Sequence, residues 1–74
     1  MPTSVAKAER VVNIALIPKA AMDLARTRER AALSETDIVN RAITLYDFVD
    51  EELASGAQLL LRRSDGATYR VELR

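Results

Sequence analysis

Residues 10 to 17 are mostly β-branched or apolar, and Val12, Ile14 and Leu16 on one face alternate with Val11, Asn13 and Ala15 on the other. That period of two, in a run rich in β-branched residues, predicts a strand. The period changes at Pro18, whose missing N–H suits the first turn of a helix, and a helix is predicted over about 18–31. Its inward face, Ala21, Leu24, Ala25 and the aliphatic stem of Arg28, is thin and Ala-rich, which suits close helix approach. Ser34, followed three residues later by Asp37, resembles a capping box and opens a second helix over about 35–54. Ile38, Ala42, Tyr46, Val49 and Leu53 form its main stripe, with Val39 and Ile43 beside it. Leu45 and Phe48 lie off that stripe and need a second cover. Gly56 suits a left-handed stop. The remainder reads as a hairpin around Ser64-Asp65-Gly66. A three-residue loop with Gly66 left-handed pairs Leu59 with Val71, Leu61 with Tyr69 and Ala57 with Leu73, leaving Arg62, Thr68, Arg70 and Glu72 outward. Its apolar face is a candidate cover for Leu45 and Phe48, in its own chain or a partner's.

A single short strand followed directly by two helices has no neighbour to pair with, and the same strand of a second copy supplies one. Length argues the same way, because a chain of 74 residues buries only about 60% of its unfolded surface. The organisation expected is a flexible arm over residues 1–9, a dimerising unit over 10–55 and a hairpin extension over 56–74. Cysteine and histidine are both absent, which excludes disulfides, thiolate or imidazole metal sites and every His-based triad. No uncharged apolar run approaches the ~18 residues of a membrane span, and the N-terminus lacks a signal-peptide core. A soluble cytoplasmic protein without cofactor or metal is expected, and no membrane partner.

Net charge is zero, from 11 basic and 11 acidic residues, but its distribution is uneven. Residues 1–30 carry six basic and three acidic side chains, residues 31–54 one and six, and residues 55–74 four and two. Such blocks let one surface attract a polyanion while another repels it.

The alternating "VVNIALIP" and the run "LSETDIVNRAITLYDFV" together resemble the ribbon-helix-helix superfamily of dimeric repressors, the MetJ/Arc type. Ser34, Ile38, Val39, Ala42, Ile43 and Tyr46 carry the second-helix part of the likeness, which extends over about residues 10–49. The resemblance implies a mainly α homodimer with a short intermolecular β ribbon, here followed by a C-terminal hairpin. In that fold the ribbon lies in the DNA major groove and its outer face reads base edges. Carried over by position, the DNA-binding set is Lys7, Arg10, Val11, Asn13, Ala15, Lys19 and Thr36. The dimer core is Val12, Ile14, Leu16, Leu24, Ile38, Ala42 and Tyr46. Asn13 suits a bidentate contact with adenine, whereas Val11 and Ala15 offer only apolar contact to thymine methyls. The family's phosphate clamp, the first amides of the second helix, maps to Glu35 and Thr36, where Glu35 and Asp37 repel a phosphate. Lys7, Arg10, Lys19, Arg26, Arg28 and Arg30 are the compensating cations.

Plainer readings compete at several positions. Asn13 also suits a solvent-facing strand, and Arg26, Arg28 and Arg30 a solvated helix face with Glu29. Asp47, Asp50, Glu51 and Glu52 read as hydrated acids near a helix end, Tyr46 as core, and Ser34 as a cap, since no base accompanies it. No catalytic residue and no enzyme activity are expected. The leading reading is a homodimeric, antitoxin-like transcriptional regulator with double-stranded DNA as partner and the hairpin as the surface for a protein partner such as a toxin. The alternative is the same dimer serving as a protein–protein interaction module without specific DNA binding.

Overall fold

The computed structural model describes residues 9–73. In chain order it contains α1 (Pro18–Ala31), α2 (Glu35–Ala54), β1 (Leu60–Arg62) and β2 (Thr68–Arg70). The chain is small and mainly helical, and its antiparallel two-stranded sheet follows the helices. It divides into two compact units, Met1–Ile43 and Thr44–Arg74. Apart from Glu9, the expected arm lies outside the described residues.

In the first unit, residues 10–17 form no hydrogen-bonded strand within the chain. Alternation fixes which side chains share a face, but a ladder needs a second backbone. Ile17 closes the segment in extended conformation (φ −69°, ψ 158°) and accepts the Ala21 N–H at 3.0 Å, with Pro18 opening α1 as expected. The end of α1 had no glycine or asparagine to mark it. Ala32 takes the left-handed conformation itself (φ 56°, ψ 42°) and donates its N–H to the Arg28 carbonyl at 2.9 Å. Ser34 caps α2: its Oγ accepts the Asp37 N–H at 3.1 Å and its carbonyl the Ile38 N–H at 3.0 Å. Ala20, Leu24, Leu33, Ile38 and Val39, on either side of this turn, are the half-buried apolar residues of the unit.

In the second unit α2 stops in a Schellman motif. Ala57 N–H reaches the Glu52 carbonyl at 3.0 Å, Gly56 N–H the Leu53 carbonyl at 3.1 Å, and Gly56 has φ +102°. The hairpin has the three-residue register. Leu60 faces Arg70, Leu61 faces Tyr69 and Arg62 faces Thr68, and Val71 N–H extends the ladder to the Leu59 carbonyl at 2.9 Å. Gly66 N–H donates to the Arg63 carbonyl at 2.9 Å, Gly66 has φ +95°, and the Asp65 carboxylate accepts the Ala67 N–H at 2.9 Å. The expected rung between Ala57 and Leu73 is not made, because the helix stop has already taken the Ala57 N–H. Arg63 lies over the Tyr69 ring, 5.4 Å from its centroid, and Arg70 pairs with Glu72 at 2.6 Å on the opposite, polar face. Leu53, Leu59, Val71 and Leu73 line an open groove where the helix end meets the hairpin base.

None of the described residues is buried. Leu45 and Phe48 stay 62% and 60% exposed, so the chain's own hairpin does not cover them. Among the described residues no helix is long and apolar enough to cross a membrane.

Candidate nucleic-acid interface

The residues singled out for DNA contact that the structure describes all belong to the first unit. Lys7 lies outside the described residues. Arg10, Val11, Asn13, Ala15 and Lys19 are exposed. Val11 is 86% open, and Val12, Ile14 and Leu16 are 50%, 59% and 47% open. The three residues assigned to the dimer core are thus partly shielded, but far from buried. Of the other core assignments, Leu24 and Ile38 are half-buried, and Ala42 and Tyr46 are exposed.

The electrostatics of α1 differ from a bare row of cations. Asp23 accepts Lys19 Nζ at 2.9 Å and Arg26 Nη2 at 2.6 Å, so one carboxylate offsets part of the charge of two cations. The Lys19 hydrogen bond is the main reason the Asp23 carboxyl is held below its ordinary value; it outweighs the opposing desolvation, and the Lys19 charge and Arg26 add to the lowering. Arg30 Nη2 donates to the Thr27 hydroxyl at 3.3 Å. The first turn of α2 is also less anionic than its sequence. Arg28 Nη1 reaches across the turn to Glu35 Oε2 at 3.6 Å, so a cation stands beside the acid expected to repel a phosphate. The sequence carried a signal for this pair, an arginine in the last turn of one helix and an acid opening the next, but spacing across a left-handed turn does not predict a contact.

Thr36 is half-buried, and its carbonyl accepts Asn40 Nδ2 at 2.7 Å, which ties the first turn of α2 to its second. The Asp37 amide is held by Ser34, leaving the amides of Glu35 and Thr36 as the open donors that every helix start presents. Amides at the positive end of a helix dipole, with the Arg28 guanidinium beside Glu35, can bind an anionic oxygen. The exposed Asn13 carboxamide can donate to and accept from a base edge at once. Among the described residues no group of three or more acidic, cysteine or histidine side chains is placed to hold a metal ion. Compared with protein-family models, curated proteins and solved structures, the chain matches none.

Proposed function

We propose that the chain is a ribbon-helix-helix homodimer that binds double-stranded DNA as a transcriptional regulator and has no catalytic activity. The observation that carries this reading is the segment 10–17: it leads directly into α1, forms no ladder within its own chain, and shields Val12, Ile14 and Leu16 more than Val11. Antiparallel pairing with the same segment of a second copy satisfies its backbone, buries those three side chains against the helices and turns Asn13 outward. Arg10, Arg28 and the open amides of α2 then supply backbone contacts, and Asn13 the base contact. The exposed Val11 and Ala15 favour a second reading, the same dimer with its outer ribbon covered by another protein.

A salt series of binding to mixed double-stranded DNA, run beside a molar-mass determination, separates the two. A regulator binds with an affinity whose logarithm falls by about 0.9 per phosphate contacted for each unit of log salt. A dimer that ignores DNA at low salt overturns the regulator reading in favour of the interaction module.

A further inference from the structure

Arg41, Leu45, Phe48 and Glu52 recur along α2 at steps of four, three and four, the spacing of a coiled-coil seam. At 3.6 residues per turn this row spans about 16 Å and lies about a quarter turn around the helix from the stripe of Ile38, Ala42, Tyr46, Val49 and Leu53. Leu45 and Phe48 are the exposed apolar centre of the row. Among the described residues, the side chains of Arg41 and Glu52 at its ends have no hydrogen-bond or ion-pair partner.

The order along the row is cation, apolar, apolar, anion, centred between Tyr46 and Asp47. Two such rows laid antiparallel about a two-fold axis at that centre set Arg41 of each copy against Glu52 of the other, and Leu45 against Phe48. A parallel arrangement sets arginine against arginine and glutamate against glutamate. The hairpin of a second copy fits less well, since its apolar face (Leu59, Leu61, Tyr69, Val71 and Leu73, with Arg63) has no carboxylate to meet Arg41.

We propose that this second face of α2 docks antiparallel on the same face of another copy and so joins ribbon-paired dimers to one another. The inference rests on the dimeric reading above, which uses the other stripe of α2.

The test is the molar mass of the full chain over a concentration series, for the wild type, for R41E, for E52R, for the double variant R41E/E52R and for an equal mixture of the two single variants. Each single variant makes the face like-charged against itself and should raise the dissociation constant of dimer pairing about tenfold or more. The double variant and the mixture restore opposite charges at both ends and should return it toward the wild-type value. That pattern, with the single variants remaining dimers, supports the proposal. A wild type that stays dimeric at every concentration overturns it while leaving ribbon pairing intact. Assembly indifferent to these charges but lost on Leu61→Asp assigns the face to a second copy's hairpin and also overturns it. A wild type that is monomeric throughout refutes both readings.

Discussion

Ala32 is the residue whose replacement tests the backbone most sharply. It holds φ 56° and ψ 42°, where the Cβ of an L-residue crowds the following carbonyl at a cost of about 1–2 kcal/mol. Glycine escapes that cost but gives the unfolded chain extra freedom, worth about 0.4–1 kcal/mol against folding. Ala32→Gly should therefore stabilise the protein by about 0.5–1 kcal/mol per chain. For a domain of this size that raises the thermal midpoint by roughly 4 °C. Two comparisons isolate the cause. Ala25→Gly, at an exposed position inside α1, should lower the midpoint, since glycine in a helix interior costs about 0.5–1 kcal/mol. Ala32→Val puts a β-branched side chain into the left-handed region and should lower it as well. The assay is thermal unfolding followed by circular dichroism at one fixed protein concentration, because the midpoint of a dimer moves with concentration. If Ala32→Gly falls in step with Ala25→Gly, Ala32 is an ordinary helical residue and the left-handed stop is refuted.

Three further outcomes are expected. Asn13→Ala should weaken binding to a specific DNA site by about 1–3 kcal/mol in a titration while leaving the molar mass unchanged; an unaltered affinity removes Asn13 as the base reader. Ile14→Asp should abolish the folded dimer, because ribbon pairing would bury an unpaired carboxylate; a folded, dimeric variant would show that the strand faces are reversed. Asp23 is held below its ordinary value by Lys19 and Arg26, so it favours the folded chain above its unfolded pKa, and that contribution fades as pH falls through the lower, folded value. Asp23→Asn should make urea unfolding less acid-sensitive across that interval, and an unchanged pH dependence would show that the ion pairs do not persist in solution.

The helix limits were legible because the residues that set them act locally. Pro18 and Ser34 each settle one turn of backbone through a missing donor or a side-chain acceptor, and Gly56 does so through its tolerance of positive φ. The hairpin register was legible for the same reason, from Asp65 and Gly66. Ala32 was not, because alanine carries no preference for the left-handed region and is placed there by what lies on either side. The Arg28–Glu35 pair depends on that turn and was hidden with it. Periodicity also marked Leu45 and Phe48 as needing cover, but a pattern along one helix names the face and not what meets it. For the candidate site, the sequence picked out the charge of α1 but not the sharing of Asp23 between two of its cations; Asn13 is exposed, in a segment that forms no strand within the chain.

The lack of any buried side chain among the described residues has a kinetic meaning under the homodimeric reading proposed above. Under that reading, a chain whose described residues enclose no core alone would acquire one on meeting its copy, so folding would be second order in chain and would quicken as the protein accumulates. Dilution reverses this, releasing chains open to proteases, whose cutting follows the population of the open form. Amount and lifetime would then be coupled: the protein would persist when abundant and be cleared fastest when scarce, a threshold arising from the thinness of a single copy.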